Sequence, residues 1–292
     1  MPIRHLVAAL LLGSVAVPAA AQDAQSLIAK NLEARGGEAA LSAIKSIKFK
    51  GRSIAPGDFE LTYEETHERV GPSAAADRVD LTVQGLDLVQ AYDGHGNGWK
   101  INPFQGRKDA EKMSGDEARS MADGALIEGP LLASLHDGSR VDYLGRDDFD
   151  GTLAYKLKVT QTDGDEFTYW LDPDTYLEIK VEERRKLRGA EQTNETELGD
   201  YEKVAGVYFP MSVESWSQGQ DNQRQRTIIA SGEANVAAPA DYFAEPGGAA
   251  TPAKAAGQPP DASNKPHSKG AAKSKPGAVK GTAVPSTSPK GE

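Results

Sequence analysis

The sequence predicts a mainly β protein of the α+β class, built on one curved antiparallel sheet of about ten or eleven strands. Three observations lead to this prediction. Apolar and polar residues alternate with a period of two through most of the chain, which is the pattern of strands with one buried face. Turn-forming residues separate the alternating runs by short intervals, which favours antiparallel hairpins over helical crossovers. Helical periodicity is confined to a segment near the N-terminus and to one insert in the middle of the chain.

The first 21 residues have the pattern of a Sec signal peptide. Arg4 and His5 precede an apolar run at 6–17, and the small-residue stretch Ala19-Ala20-Ala21 follows. The run is shorter than the ~20 apolar residues that span a bilayer, and an uncleaved N-terminal anchor is the alternative interpretation. The chain has no cysteine, so it lacks disulfides and the lipidated cysteine of a bacterial lipoprotein. We therefore expect a soluble protein that is released into the periplasm.

Two helices are predicted directly after this segment. Leu27, Ile28 and Leu32 recur at helical spacing, and Gly36-Gly37 stands where the end of the helix is expected. A second, short helix is predicted at 38–45. After this helix the period changes to two, which marks the start of the sheet.

The sheet is predicted from a series of alternating runs, in the first of which Ile47 and Phe49 alternate with basic residues. The apolar residues of the other runs are Phe59, Leu61 and Tyr63; Val79, Leu81 and Val83; Tyr155, Leu157 and Val159; Phe167, Tyr169 and Leu171; Leu177, Ile179 and Val181; and Val207, Phe209, Met211 and Val213. A polar strand near 190–199 and a last strand at 227–234 complete the series. Turn sequences such as Asn97-Gly98 and Asp163-Gly164 separate the runs.

Residues 114–135, called the insert below, are predicted to be helical. Ser114 and Glu117 have the spacing of a capping box, in which a hydroxyl caps the helix and a glutamate three residues later reaches back. Gly124 and Gly129-Pro130 divide the insert into two short helices. The sequence leaves two interpretations open: the insert fills the core of the sheet, or it is a mobile lid over an apolar groove.

The last segment, 247–292, is predicted to be a disordered basic tail. It consists mainly of Lys, Ala, Pro, Gly and Ser and has no aromatic residue, so it cannot bury enough apolar surface to offset the loss of chain entropy. The body that precedes the tail is acidic, and the whole chain has a formal net charge of −10. An acidic body argues against nucleic-acid binding, which normally uses a basic face. The tail is interpreted as a solubilising linker or as a tether to anionic envelope polymers.

The sequence contains no recognisable motif of catalytic or metal chemistry. There is no G-x-S-x-G nucleophile elbow, no phosphate-binding loop and no dinucleotide-binding fingerprint. The histidines lack the spacing of a zinc site, and His67, beside Glu65 and Arg69, is expected to be solvated. The basic run at 184–188 is interpreted as a charged strand end, with a docking patch as the alternative. The sequence therefore predicts a non-catalytic protein without a cofactor or a bound metal.

Several short motifs occur in a fixed order over residues 23–246. They are Leu32-Glu33-Ala34-Arg35-Gly36-Gly37, Tyr92-Asp93-Gly94, Gly98-Trp99, Tyr169-Trp170-Leu171-Asp172-Pro173-Asp174 and Gly206-Val207-Tyr208-Phe209-Pro210. In this order they resemble the LolA-like outer-membrane lipoprotein-sorting proteins. The resemblance implies that 22–246 form one domain, an incomplete antiparallel barrel that helices close on one side. It also implies an apolar cavity, which carries lipoprotein acyl chains in the best-known members, with the insert as part of its lid.

Two functions follow from these observations. The first is a carrier that holds the acyl chains of lipids or lipoproteins, which requires only buried apolar area, at about 25 cal/mol per Å². The second is an interaction module that binds envelope proteins through the sheet surface and the basic tail, without lipid transport. We expect a monomer. The candidate ligand-contacting residues are large apolar side chains of the sheet and the insert: Phe49, Leu61, Tyr63, Trp99, Met121, Leu126, Ile127, Leu131, Tyr169, Phe209 and Met211.

Overall fold

The structure is a computed structural model and describes residues 23–106 and 108–247. The predicted signal peptide, 1–21, and the predicted disordered tail beyond Gly247 lie outside the described residues. Within those residues the chain forms four α-helices and fifteen strands, which confirms the predicted mainly β class.

The four α-helices lie where the sequence predicts helices. They are α1, Ala24–Arg35; α2, Glu38–Ala43; α3, Gly115–Ala125; and α4, Gly129–Ala133. Helix α1 begins after Asp23, whose Oδ1 accepts a hydrogen bond of 2.6 Å from the Ser26 amide. It ends at Gly36, where φ is 123° and a Cβ atom would lie 2.3 Å from the Gly206 carbonyl oxygen. None of the helices in the described ranges combines the length and the apolar character that crossing a membrane requires.

The strands are β1, Ser46–Ala55; β2, Phe59–Gly71; β3, Ala74–Val83; β4, Leu86–Tyr92; β5, Gly98–Ile101; β6, Glu111–Lys112; β7, Arg140–Phe149; β8, Thr152–Thr160; β9, Glu166–Leu171; β10, Glu178–Leu187; β11, Ala190–Gly199; β12, Glu202–Val204; β13, Val207–Phe209; β14, Ser212–Ser217; and β15, Gln225–Ala234. Thirteen of them form one open antiparallel sheet, and β12 and β13 form a separate hairpin. The prediction of ten or eleven strands is too low because the predicted run 207–213 is divided between β13 and β14, which belong to different sheets, and because β5, β6 and β12 have only two to four residues. Alternation is not recognisable over so few residues.

The sheet consists of two meanders that are joined through the first and the last strand. Its order is β6-β5-β4-β3-β2-β1-β15-β14-β11-β10-β9-β8-β7. The β1–β15 pairing shifts register at Gly51. A Cβ atom at this position would lie 2.0 Å from the Ile228 carbonyl oxygen, so the two strands can approach each other this closely only because residue 51 is glycine. The insert connects the two edge strands, β6 and β7, and contacts β3 of one meander and β9 of the other. It therefore crosses the open side of the sheet.

The main hydrophobic core lies between the concave face of the sheet and the helices. Its fully buried side chains come from α1, α4 and both meanders and include Leu27, Ile28, Ile47, Leu131, Leu157, Val159 and Leu171. A smaller cluster with Ala75, Tyr92, Ala118 and Ala125 joins α3 to β3 and β4. An open curved sheet covered by helices on its concave side is the incomplete barrel that was predicted.

Candidate functional site

A partly open cavity, called the main cavity below, lies between the concave face of the sheet and the insert. Its volume is about 430 Å³. Residues of α3, α4 and the turn between them form its roof, and β1, β2, β9 and β10 contribute to its walls. Small-molecule sites have volumes of roughly 300–1,000 Å³. The main cavity therefore has the dimensions of a ligand-binding site.

Seven of the eleven predicted ligand-contacting residues line the main cavity: Phe49, Tyr63, Leu126, Ile127, Leu131, Tyr169 and Phe209. The rings of Phe49 and Phe209 pack edge to face, with their centroids 5.4 Å apart. Both meanders and the insert thus supply apolar surface to one space. Contact of these side chains with a ligand stays a prediction.

The other four predicted residues, Leu61, Trp99, Met121 and Met211, do not border the main cavity. Trp99 lies on the outer face of the sheet against Ala91, and its Nε1 donates a hydrogen bond of 2.9 Å to the Phe243 carbonyl. Alternation could not assign Trp99 to a face, because β5 has only four residues and its orientation depends on its register with β4. Met211 belongs to the main core, and Met121 packs against the cluster beneath α3.

The insert fills part of the core and also covers the main cavity. The predicted capping box is present: the Glu117 amide donates to Ser114 Oγ at 3.3 Å, and the Ser114 amide donates to Glu117 Oε2 at 2.8 Å. Ile127 and Leu131 are buried in the main core and line the main cavity as well. The two interpretations of the insert therefore describe parts of one element, and its mobility stays a prediction.

Arg35, the last residue of α1, connects three elements at one end of the main cavity. Its Nε donates a hydrogen bond of 2.8 Å to the Tyr208 carbonyl, and its Nη1 lies 3.4 Å from Glu178 Oε1. Its Nη2 donates to the Ile127 carbonyl at 3.5 Å. Because Ile127 belongs to the insert, this buried arginine holds the roof of the cavity to α1 and to the sheet.

Arg185 also points into the main cavity, although it belongs to the basic run at 184–188. Its Nη2 donates a hydrogen bond of 3.2 Å to Asp123 Oδ2 in α3, and its Nη1 lies 3.5 Å from Asp165 Oδ2. Its Nε pairs with Glu183 on the same strand. The Arg185 side chain is 1% exposed, whereas that of Arg184 is 45% exposed. The basic run is thus divided between the two faces of β10 and does not form a continuous docking patch.

Three ionisable residues form a cluster at another wall of the main cavity. Glu65 and His67 lie on the same face of β2, and Asp77 of β3 is directly opposite His67 in the strand pairing. Glu65 Oε2 lies 3.5 Å from His67 Nε2, and Asp77 Oδ1 lies 3.6 Å from His67 Nδ1. The Ala125 carbonyl oxygen, at the end of α3, lies 3.2 Å from the same Nδ1. The prediction of a solvated His67 is wrong, because β2 is an inner strand and α3 covers this position.

Burial and mutual pairing set the protonation states of the Glu65–His67–Asp77 cluster. Burial alone would lower the pKa of His67, but the carboxylates of Glu65 and Asp77 outweigh it and raise that pKa to about 9. Burial raises the pKa of Asp77 to about 8 despite the neighbouring imidazole. Burial also opposes ionisation of Glu65, but His67 and Tyr63 lower its pKa on balance. Near pH 7 the cluster therefore holds an imidazolium, one carboxylate and one neutral carboxylic acid, and it has no net charge.

A second cavity, of about 740 Å³, lies beside α2 and the β2–β3 turn. Its apolar lining comes from Leu32, Leu41, Leu132 and Leu135. Glu128 of the insert borders both cavities and forms an ion pair of 2.6 Å with Arg69 of β2. This ion pair stands at the boundary between the two cavities.

Three solved structures share this architecture over about three-quarters of the chain. A DUF1329 family protein from Desulfovibrio piger is 10% identical, with 75% of this chain and 96% of that chain covered and a TM-score of 0.54. A protein described as an outer membrane lipoprotein-sorting domain, from Vibrio parahaemolyticus, is 14% identical, with 76% of this chain and 98% of that chain covered and a TM-score of 0.52. A LolA superfamily protein from Nitrosomonas europaea is 14% identical, with 77% of this chain and 99% of that chain covered and a TM-score of 0.51.

At these identities the likenesses show the fold alone, and that fold is LolA-like. No family model and no curated protein matches the sequence. The expectation of a LolA-like fold is thereby confirmed at the level of architecture.

Sequence reasoning did not anticipate the charged side chains of the main cavity. A signal for two of them was present, because Glu65 and His67 continue the alternation of Leu61 and Tyr63 and therefore share their face. Asp77 could not be assigned to the cluster with Glu65 and His67 without knowledge of the β2–β3 register. Arg35 could not be assigned to the cavity without knowledge of where α1 packs on the sheet.

Proposed function

We propose that the protein is a non-catalytic periplasmic carrier, which holds the acyl chains of lipids or lipoproteins in the main cavity. The observation that carries this proposal is the partly open cavity itself, which is roofed by the insert and lined with aromatic and aliphatic side chains from both meanders. The LolA-like fold supports it, since one solved example is described as a lipoprotein-sorting domain. The predicted signal peptide supports the periplasmic location.

The energetics of such a site are favourable without any catalytic group. Each buried methylene contributes about 0.8 kcal/mol, so a chain of about ten methylenes contributes roughly 8 kcal/mol before the costs of association. Arg35 and Arg185 in the lining are paired with carboxylates, so they need no charged ligand for compensation. Phe49, Tyr169 and Phe209 are then the natural contact surface for an alkyl chain.

The proposal is tested with a pair of tryptophan variants on neighbouring positions of β10. Val181 lines the main cavity, whereas Glu182 follows it on the opposite face of the strand. Val181→Trp fills the cavity and is expected to weaken the binding of lauric acid at least tenfold by isothermal titration calorimetry. Glu182→Trp is the matched control and is expected to bind like the wild type.

Native mass spectrometry of protein purified from the periplasm is the companion measurement. Co-purified phospholipid or acylated peptide that is lost in Val181→Trp supports a carrier. The proposal is contradicted if the wild-type protein is purified without lipid and does not bind added lauric acid.

One structural feature favours the alternative, an interaction module for envelope proteins. Strand β7 is a ten-residue edge of the sheet, and Leu144 on it and Leu153 on its hairpin partner β8 are about half exposed. An edge strand of this length is a site at which an extended segment of another protein can add to the sheet. Two results together would favour this function: the purified protein contains no lipid, and replacing Leu144 and Leu153 with lysine abolishes its binding to envelope proteins.

A further inference from the structure

The Glu65–His67–Asp77 cluster has a composition and a spacing that suit a metal ion. Each residue offers one ligand atom, and these atoms all lie within 4.8 Å of one another. Imidazole nitrogen and carboxylate oxygen are ligands of zinc, at bond lengths of about 2.0–2.2 Å. We propose that these three residues bind a divalent transition-metal ion, with zinc as the preferred ion, at the wall of the main cavity.

The distances within the cluster support coordination over direct hydrogen bonding. The separations of 3.5 Å and 3.6 Å between ring nitrogens and carboxylate oxygens exceed the 2.7–3.2 Å that is usual for a hydrogen bond. The 3.5 Å separation between Glu65 Oε2 and His67 Nε2 is close to the separation of about 3.3 Å between two ligands of a tetrahedral ion with bonds of about 2.0 Å. Glu65 and His67 thus stand apart by roughly the width that an ion between them would need.

The surroundings of His67 specify which nitrogen would bind the ion. Nδ1 lies 3.2 Å from the Ala125 carbonyl oxygen, so a proton on Nδ1 is held by this acceptor. Nε2, which faces Glu65, is then free to coordinate. A metal-bound histidine commonly donates its other N–H to a backbone carbonyl, which fixes the tautomer and the ring orientation. Asp77 would supply the third ligand, since one ligand atom of each of the three residues lies within 4.8 Å of the others.

Asp77 independently indicates that this site takes a ligand. The residue is 4% exposed, and within the described part of the chain no group donates a hydrogen bond to its Oδ1. A buried carboxyl oxygen without a hydrogen-bond donor raises the free energy of the fold. A cation bound at this oxygen would relieve that cost.

The charge of the ligand set also suits a divalent ion. Two carboxylates and one imidazole nitrogen carry a formal charge of −2 when they coordinate, which a divalent cation neutralises. Since Glu65 and His67 border the main cavity, the remaining coordination position would face that cavity.

The test is zinc titration of the full mature protein after removal of metals by chelation, followed by isothermal titration calorimetry at pH 7.5. One zinc ion is expected per chain. The measurement uses lipid-free protein, so it does not depend on acyl-chain binding.

His67→Gln and Asp77→Asn are each expected to lower the affinity for zinc at least tenfold. His95→Gln, on an exposed hairpin, and Glu64→Gln, on the outer face of β2, are the controls and are expected to bind like the wild type. Asp77→Asn preserves the shape of the side chain, so it tests the site even if His67→Gln unfolds. A wild type that does not bind zinc, or a His95→Gln variant that loses the binding, overturns the proposal.

Discussion

At the scale of single residues, the main cavity depends on buried charges as well as on apolar side chains. Arg35 pairs with Glu178, and Arg185 pairs with Asp123 and Asp165. Removing one partner of a buried pair leaves an uncompensated charge, which typically costs about 3–5 kcal/mol. These arginines are therefore structural parts of the cavity and not only possible contacts for a ligand.

Asp77→Asn is expected to stabilise the metal-free protein more at pH 8 than at pH 5. Burial raises the pKa of Asp77 to about 8, so the folded state keeps this carboxyl protonated over a range in which the unfolded state ionises it. The resulting loss of stability begins near the unfolded pKa, about 4, and increases up to about pH 8. Asparagine is neutral in both states and removes this loss. The expected difference between the two pH values is on the order of 1–3 kcal/mol in the free energy of unfolding, measured by urea denaturation.

Asp87→Asn is the control, because Asp87 is an exposed carboxylate at the start of β4. Its effect on stability is expected to be the same at pH 5 and pH 8 within error. A stabilisation by Asp77→Asn that does not change with pH would contradict the protonation state assigned to the cluster.

At the scale of secondary-structure elements, the insert determines how the cavity is covered. Helix α3 is short, and its first turn is held by the reciprocal hydrogen bonds of Ser114 and Glu117. Its last residue, Ala125, contacts His67, and Asp123, two residues earlier, pairs with Arg185. The helix is thus fixed at its start by its own cap and at its end by the sheet.

Ser114→Ala is expected to destabilise α3 by about 1 kcal/mol, because it removes the acceptor for the Glu117 amide. Hydrogen-exchange mass spectrometry would then show about fivefold faster exchange in peptides that cover 115–125. Ser114→Asp keeps a capping acceptor and is expected to exchange like the wild type. Equal exchange in the alanine variant would mean that the sheet contacts alone hold the helix.

The sequence predicts the elements well where a pattern is long enough to repeat. The capping box at Ser114, the helix end at Gly36 and the strand through Leu61 and Tyr63 all follow from local chemistry. Trp99 does not, since its face is set by a neighbouring strand, and the same holds for the pairing of Asp77 with His67. Phe49, Tyr63, Tyr169 and Phe209 line the main cavity because alternation fixes which side chains of a strand share a face, whereas the ionic contacts between elements arise only from tertiary packing.

At the scale of the whole molecule, a sheet of two meanders is followed in the sequence by a C-terminal segment of different composition. Deletion of 248–292 is expected to leave the midpoint of thermal unfolding within about 1 °C of the full-length value, because a segment with this composition buries little apolar surface. Differential scanning calorimetry measures this. A fall of several degrees would show that the tail packs on the domain.

The same truncation separates the two functions. A carrier is expected to bind lauric acid with unchanged affinity after the deletion. An interaction module that uses the tail is expected to lose its envelope partners in a pull-down. Weaker binding of lauric acid by the truncated protein would mean that the tail contributes to the acyl-chain site.

The junction between β1 and β15 has a consequence for the biogenesis of the protein. The chain is synthesised from its N-terminus, so the meander β1–β6 is made long before β15, the strand that pairs with β1. Until residues 225–234 arrive, β1 is a second open edge and one wall of the cavity is missing. The cavity can therefore be completed only after the last strand has been made, and a chaperone that shields the free edge of β1 would be needed most during that interval.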